Sequence, residues 1–281
     1  MTKLSFSYLV FLVVFVLNAC TEKKEIVVGL TQQPVIDKNW QFENTPVWED
    51  EFNTSTIDVS KWSFETGGSG WGNNELQYYT SGANSNITGG MLNINAKKEA
   101  FLGSQYTSSR MISKGKGDWL YGRFEIKAKL PRGRGTWPAI WMLSSDNTYG
   151  NWPASGEIDI MEHVGFDLDK IHCSVHTSAY NHLRGTQKSA NKVITGSTVD
   201  FHIYRVDWTP YAVRGYIDNI KYFEFINENS GFTTWPFNKN FHLILNLAVG
   251  GNWGGAQGVD DAVFPATLNI DYVKVFKMIP Q

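Results

Sequence analysis

The stretch Tyr121-Gly-Arg-Phe-Glu-Ile-Lys-Ala-Lys-Leu130 alternates apolar and charged side chains with a period of two. Phe124, Ile126 and Ala128 fall on one side of it, and the charged residues fall on the other. Successive residues of a β-strand point to opposite faces of the sheet, so the pattern predicts a strand with one buried face. An amphipathic helix would need a period near 3.6, which this stretch lacks.

Similar short runs continue from Pro46 to the end of the chain, separated by turns rich in Gly, Asn, Asp and Pro. Asp218-Asn219 lies between two apolar flanks, which predicts a hairpin turn. We find no long amphipathic helix and no internal repeat. The pattern therefore predicts an all-β sandwich or barrel, in one domain over residues 46–281. The other predicted strands are Met91–Ala96, Ala139–Leu143, Glu157–His163, Lys170–Thr177, His202–Trp208, Ala212–Ile217, Phe241–Val249 and Asn269–Phe276.

The charge and the tryptophan content limit the classes of partner. The formal net charge is -2 over 281 residues, which argues against nucleic acid as a partner. It fits a neutral substrate better than a densely sulfated one, although a local basic groove is compatible with that total. The 11 Trp suggest aromatic surfaces that stack on a flat ligand.

The N-terminus has the features of an export signal. Lys3 precedes the apolar run Leu9–Leu17, which is too short to span a bilayer, and the segment ends Leu-Asn-Ala-Cys20. This ending resembles the lipobox of bacterial lipoproteins, although Asn18 is unusual there, so we expect a signal peptide over 1–19 and a lipidated Cys20. Ordinary cleavage or an uncleaved anchor are the alternatives. The polar residues 20–45 are expected to form a flexible tether, and the protein to be an outer-membrane or cell-surface lipoprotein, otherwise secreted.

Residues 156–162 read Gly-Glu-Ile-Asp-Ile-Met-Glu and place three carboxylates in one predicted strand. Glu157 and Asp159 share a face, whereas regular alternation would turn Glu162 away. A β-bulge at Met161 would return Glu162 to that face, and bulges are common beside active sites. Two carboxyls about 5–5.5 Å apart are what retaining glycoside hydrolysis requires. A solvated acidic strand edge or a metal site are the alternatives.

Several longer motifs occur in the order of a known family. From about Pro46 to Lys277 the chain resembles a family 16 glycoside hydrolase of the bacterial laminarinase branch, which cuts β-1,3-glucan. The resemblance implies a concanavalin A-like β-jelly roll of two curved antiparallel sheets, with the polysaccharide in a concave cleft. The matching stretches are 71–80 (WGNNELQYYT), 121–130 (YGRFEIKAKL), 135–143 (GTWPAIWML), 152–163 (WPASGEIDIMEH) and 269–275 (NIDYVKV).

The resemblance also implies roles for the three acids in a retaining endo-hydrolase. Glu157 would be the nucleophile, Glu162 the acid and then the base, and Asp159 a hydrogen-bonding partner of Glu157. Asp159 as a plain surface acid is the alternative. Other functions stay open: hydrolysis of mixed-linkage glucan or of an agar- or porphyran-type galactan, transglycosylation, or non-catalytic glycan binding at the cell surface. The extra residue Met161 disfavours the mixed-linkage branch.

Aromatic and polar residues near these motifs are the candidates for binding sugar. Trp137 and Trp141 are four residues apart and share one strand face, and the resemblance implies that they line the sugar cleft and stack on sugar rings, with core packing as the alternative. Arg110 and His176 are further candidates for contact with sugar. For Arg110 the alternative is a structural salt bridge, and for His176 the alternative is a place in the core. The full set of candidates is Asn73, Asn74, Arg110, Trp137, Trp141, Trp152, His176 and Trp253, with Trp71 as a further end of the cleft.

The resemblance implies one structural metal ion and no cofactor for catalysis. A calcium ion would bind the backbone carbonyls of Glu51 and Gly90 and the carboxylate and carbonyl of Asp271, which are oxygen ligands of the kind that Ca²⁺ prefers. An unoccupied turn is the alternative. We expect a monomer whose partner is a β-glucan, with membrane contact only through the lipid anchor.

Overall fold

In the computed structural model, which describes residues 35–279, the chain consists almost wholly of β-strands and turns. The first nine strands are β1 (Trp48–Asp50), β2 (Ser63–Glu65), β3 (Gln77–Tyr79), β4 (Ser85–Thr88), β5 (Met91–Phe101), β6 (Ser104–Ser108), β7 (Arg110–Ile112), β8 (Asp118–Trp119) and β9 (Gly122–Lys129). The last nine are β10 (Thr136–Ser144), β11 (Glu157–Glu162), β12 (Lys170–His176), β13 (Lys188–Val193), β14 (His202–Trp208), β15 (Ala212–Ile217), β16 (Ile220–Ile226), β17 (Phe241–Val249) and β18 (Ala266–Phe276). Two 3-10 turns cover His182–Arg184 and Asp261–Val263. Within 35–279, no helix is long and apolar enough to cross a membrane.

The strands form two sheets, as the all-β prediction requires. The 10-stranded sheet has the order β16-β15-β14-β9-β18-β5-β6-β3, with β1 on β18 and β4 on β5. The 8-stranded sheet has the order β13-β12-β11-β10-β17-β7-β2, with β8 on β17. Pairing is antiparallel except between β3 and β6, which run parallel. The predicted antiparallel sandwich is therefore confirmed apart from that one pair.

The inner faces of the two sheets form one apolar core. Phe124, Ile126 and Ala128 of β9 are fully buried in it, which confirms the face assigned from their alternation. Leu243, Leu245 and Leu247 of β17 supply the opposing face, and burying one such side chain contributes about 1.5–3 kcal/mol. The core thus fixes which face of the 8-stranded sheet points away from it.

The predicted strands are all present, and three have the predicted bounds: β14, β15 and β17. Asp218 and Asn219 have φ values of 48° and 67°, which confirms the hairpin turn between β15 and β16. Strand β13 was not predicted, because Lys-Ser-Ala-Asn-Lys-Val has no apolar alternation. It nevertheless extends the sheet that carries the acidic strand.

Residues before position 46, where the domain was predicted to begin, already contact the sandwich. Asp37 forms an ion pair with Arg214 on β15 at 2.6 Å, and the Glu43 N–H donates to the carbonyl of Lys277. Residues 37–43 therefore include contacts with β15 and with Lys277, and the domain boundary at residue 46 stays a prediction. The predicted signal peptide and Cys20 lie outside the described residues.

Candidate active site

A β-bulge in β11 brings three carboxylates to one face of the 8-stranded sheet. On the β12 side, Asp159 is opposite Ser174 and Glu162 is opposite His172, so Ile160 and Met161 together face one partner residue. Both of these apolar residues are fully buried in the core. The predicted bulge is confirmed, and it lies at residues 160 and 161, which face a single residue of β12. Because of it, Glu157, Asp159 and Glu162 all line the same cavity.

Hydrogen bonds hold each carboxylate in place. The indole Nε1 of Trp152 donates to Glu157 at 2.6 Å, and Nε1 of Trp137 donates to Glu162 at 3.1 Å. The Ser174 hydroxyl donates to Asp159 at 2.6 Å. Such donors fix the orientation of a carboxylate and favour its ionised form.

Burial and mutual repulsion raise the pKa of both glutamates. Burial is the largest cause for Glu157, and the charge of Asp159 adds to it, so the pKa lies well above 4.5. The pKa of Glu162 is likewise raised by burial, by Asp159 and by Glu157. Because the carboxyls interact strongly, their protons belong to the group as a whole. Such a cluster can keep one carboxyl protonated near neutral pH while another is ionised.

His176, one of the predicted candidates, lies beside Asp159. Its Nε2 is 3.3 Å from Asp159 Oδ2 and 3.9 Å from Glu157 Oε1. Burial lowers the pKa of His176, but the hydrogen bond and charge of Asp159 and the charge of Glu162 more than offset this, so the pKa is raised from 6.5. A protonated His176 would be a positive charge facing the three acids.

The carboxylates lie in a cavity of about 540 Å³ that runs across the strands of the 8-stranded sheet. Each strand contributes alternate residues, as a single sheet face requires. Trp137 and Trp141 point into the cavity from β10, as predicted. Asn73, Arg110, His176, Trp71 and Trp253 of the predicted set also line the cavity. A groove of this length, with carboxylates at its centre and aromatic rings on its walls, can accommodate a polysaccharide.

Two predicted residues are placed differently. Asn74 is exposed, does not line the cavity, and donates instead to the side-chain oxygen of Asn252 at 2.8 Å. Trp152 is not among the residues that line the cavity, and its ring lies next to the ring of His182, with 5.0 Å between ring centroids. Its N–H is turned toward the Glu157 carboxylate, and its role in binding sugar stays a prediction.

Arg110 forms a structural ion pair and also lines the cavity, and its contact with sugar stays a prediction. Its Nε lies 2.5 Å from Glu65 Oε2, which is the structural ion pair. Its guanidinium also lies between the rings of Trp71 and Trp141, 4.8 Å from each centroid, and it lines the cavity. Packing between two rings holds the cation and both indoles in fixed positions.

Several cavity residues were missed by the sequence analysis. Trp141 Nε1 donates to Asn246 Oδ1, Asn246 Nδ2 donates to the Tyr79 hydroxyl, and that hydroxyl donates to Glu75. Burial raises the pKa of Glu75, which is a fourth acid in the cleft. Glu75 stands inside the Trp-Gly-Asn-Asn-Glu motif and was therefore within reach of the sequence. Gln187, Ser189 and Asn191 lie on or beside the unpredicted β13, and no sequence signal marked them.

The positions predicted for calcium come together through strand register. Asp50 is opposite Val273 and Leu92 is opposite Ile270, so Glu51, Gly90 and Asp271 lie in one part of the 10-stranded sheet. Their carbonyl and carboxylate oxygens suit Ca²⁺. Asp271 Oδ2 is also paired with Lys127 Nζ at 2.8 Å, so an ion would compete with that amine. Calcium binding stays a prediction.

Comparison with known proteins agrees with the geometry. The family model described as "Glycosyl hydrolases family 16" matches residues 72–274. A beta-glucanase of Rhodothermus marinus is 51% identical over 243 residues, covering 83% of this chain and 85% of the relative.

Solved structures give the same result. The laminarinase from Rhodothermus marinus has a TM-score of 0.83 at 49% identity, over 86% of this chain and 99% of that structure. The laminarinase from Flavobacterium sp. UMI-01 has a TM-score of 0.77 at 41% identity, over 83% of this chain and 100% of that structure. The predicted jelly-roll fold and the predicted resemblance are both confirmed.

Proposed function

The chain belongs to family 16 of the glycosyl hydrolases, and we propose that it is an endo-hydrolase that cuts internal β-1,3 bonds of laminarin-type glucan with retention. The observation that carries the proposal is the bulge in β11, which brings Glu157 and Glu162 to one cleft. Relatives named laminarinase and glucan endo-1,3-beta-glucosidase support the substrate class.

In the proposed mechanism, Glu157 attacks the anomeric carbon while Glu162 protonates the oxygen of the leaving sugar. A covalent glycosyl-enzyme forms at Glu157, and the leaving chain departs with the proton. Glu162, now ionised, then removes a proton from water, which attacks the anomeric carbon and releases Glu157. Two inversions give net retention. The raised pKa of Glu162 suits the first step, in which it must carry a proton.

Asp159 and His176 adjust the charge around Glu157. Asp159 forms a side-chain hydrogen bond with Glu157, and its charge raises the pKa of that glutamate. His176, 3.3 Å from Asp159, offsets part of that negative charge when protonated. This pair thus influences when Glu157 is ionised and able to attack.

The charge of the cleft favours a neutral glucan over a sulfated or carboxylated polysaccharide. Glu75, Glu157, Asp159 and Glu162 line the cavity, and the cationic groups that face them are His176 when protonated and the guanidinium of Arg110, which is already paired with Glu65. An anionic chain would meet like charges at short range, which costs several kcal/mol in an interface. Glucose units, by contrast, offer apolar faces to Trp137 and Trp141 and hydroxyls to Asn246.

Replacing either catalytic glutamate tests the proposal. Glu157→Gln and Glu162→Gln remove a nucleophile and a proton donor with little change in shape, and we expect losses of 10²-fold or more, which is a typical contribution of such groups. Reducing-sugar release from laminarin measures the rate, and retained binding of laminarin in an affinity gel serves as the folding control.

The alternatives are separated by assaying laminarin, lichenan, agarose and carrageenan in parallel. We expect small β-1,3 oligosaccharides from laminarin. Near-normal turnover by either Gln variant would remove the assigned roles. Binding of laminarin without any turnover by the wild type would indicate the glycan-binding alternative instead.

A further inference from the structure

Two indoles hold the two glutamates, one for each carboxyl. Trp152 Nε1 lies 2.6 Å from Glu157 Oε2, and Trp137 Nε1 lies 3.1 Å from Glu162 Oε1. We propose that Trp152 and Trp137 are positioning residues, of which the first holds Glu157 ionised for attack and the second sets how firmly Glu162 keeps its proton. This inference rests on the proposed function, because it assigns each indole to one proposed catalytic carboxyl.

The placement of Trp152 supports a role in holding Glu157 over one in stacking on sugar. Trp152 is not among the residues that line the cavity. Its ring packs against His182, at 5.0 Å, and His176, at 6.0 Å between centroids. These contacts hold the ring in place, and its Nε1 donates to Glu157 Oε2.

Trp137 is held just as firmly but from a different strand. Its ring lies edge-on to that of Trp253 with 5.6 Å between centroids, and only 9% of the residue is exposed. Strand β10 pairs Ala139 with Glu162, so Trp137 reaches the carboxyl from the neighbouring strand. The two indoles therefore reach the two glutamates from different parts of the chain.

The surrounding charges make these donors important. Glu157 is faced by Asp159 on β11, His176 on β12 and, at longer range, Arg110 on β7. Burial and Asp159 raise the pKa of Glu157, whereas the Trp152 N–H and Arg110 lower it. Without the indole, little is left to favour the ionised nucleophile.

Glu162 is faced by a different set of groups. Asp159 and Glu157 on β11 raise its pKa beyond the effect of burial, while His176 on β12 and the Trp137 N–H lower it. Loss of the Trp137 hydrogen bond would therefore make Glu162 hold its proton to higher pH. That shift would favour the acid form and delay the base form.

The test compares pH profiles of kcat/KM for Trp152→Phe and Trp137→Phe. Trp152→Phe should move the acid limb to higher pH, with a loss at the acid end about tenfold greater than at the optimum, as expected for one charge-assisted hydrogen bond. Trp137→Phe should instead move the alkaline limb to higher pH. On an activated aryl glycoside, whose departure needs no acid, hydrolysis of the glycosyl-enzyme limits kcat, so the delayed base form of Glu162 should lower kcat in Trp137→Phe more than in Trp152→Phe.

Trp141→Phe is the matched control. Trp141 lies on β10, as Trp137 does, and lines the same cavity. Its Nε1, however, donates to the neutral amide of Asn246 at 2.7 Å. We expect a higher KM with both limbs unmoved. Limbs of Trp152→Phe and Trp137→Phe that coincide with those of the wild type would overturn the inference.

If Trp152→Phe or Trp137→Phe fails to fold, the other variant still tests the inference, because each is expected to shift a different limb of the pH profile. The proposed function fails separately, through activity that survives in Glu157→Gln or Glu162→Gln. Unshifted limbs in the Trp variants together with inactive Gln variants would reject the positioning roles and keep the function.

Discussion

Glu157 and Glu162 are buried beside Asp159, and each ionised carboxyl makes it harder to ionise its neighbour. A raised pKa in the folded state means that the native protein binds more protons than the unfolded chain. The contribution of these two carboxyls to the free energy of unfolding is therefore greatest at low pH. It is lost as the pH rises above their pKa in the unfolded chain. The same cluster to which we assign proton transfer is thus expected to destabilise the fold at neutral pH.

Glu162→Gln should accordingly raise the melting temperature at neutral pH, by about 2–4 °C if it relieves about 1 kcal/mol. The gain should shrink as the pH falls to 4.5, the value for an unperturbed glutamate, and should vanish below it, where the wild-type carboxyl is protonated in both states. Differential scanning calorimetry across this range measures it. Glu49→Gln, at a half-exposed side chain, is the control and should show no such gain. A variant less stable than the wild type at pH 7 would contradict the assigned direction.

At the scale of the element, the sequence was sufficient to predict the acidic strand and its bulge. Alternation alone leaves Glu162 on the wrong face, so a bulge was required if the acids were to meet. The indole N–H groups that donate to these acids could not be predicted from the sequence in the same way. Trp152 comes from the turn before β11, and its direction depends on how that turn folds back, which residue spacing does not specify.

Gly156 makes this fold-back possible. Its φ is +87°, and a Cβ there would lie 2.7 Å from Pro236 Cγ and 2.9 Å from Phe237 Cε1. Only glycine combines that backbone conformation with so close an approach. The residue thus sets the entry of the chain into β11 immediately before Glu157.

Gly156→Ala should cost about 1–2 kcal/mol for the left-handed backbone and a further 1–3 kcal/mol for overpacking. Gly185→Ala is the matched control, because its φ is also positive, at +64°, yet nothing lies within 4 Å of its Cβ position. It should show only the backbone cost. Urea denaturation measures both. Equal costs for the two variants would show that packing at Gly156 does not constrain the turn.

At the scale of the whole molecule, the sequence was sufficient for the fold class, most strands and the central acids. Regular alternation in β9 and long motifs around β10 and β11 carried that information. The far wall of the cleft was not predictable, because β13 is polar on both faces and its role comes from pairing with β12. The contacts of Asp37 with β15 and of Glu43 with Lys277 likewise leave no local signal in the sequence.

The predicted calcium site gives a test at the same scale. If Ca²⁺ joins the strands near Glu51, Gly90 and Asp271, a chelator should lower the melting temperature by about 5–10 °C, as expected for a ligand at 100 times its Kd. Asp271→Asn should remove most of that difference. An identical melting temperature with and without chelator would contradict calcium binding.

The roles of the two glutamates are tested most directly by azide rescue of Glu157→Ala and Glu162→Ala on an activated aryl β-glycoside of a β-1,3-glucan oligosaccharide. Azide that replaces a missing nucleophile attacks from its side of the ring, whereas azide that replaces activated water attacks the glycosyl-enzyme. We predict an α-glycosyl azide from Glu157→Ala and a β-glycosyl azide from Glu162→Ala, distinguished by NMR of the products. The opposite pair of anomers, or the same anomer from both variants, would contradict the assignment of Glu157 as nucleophile and Glu162 as acid and base.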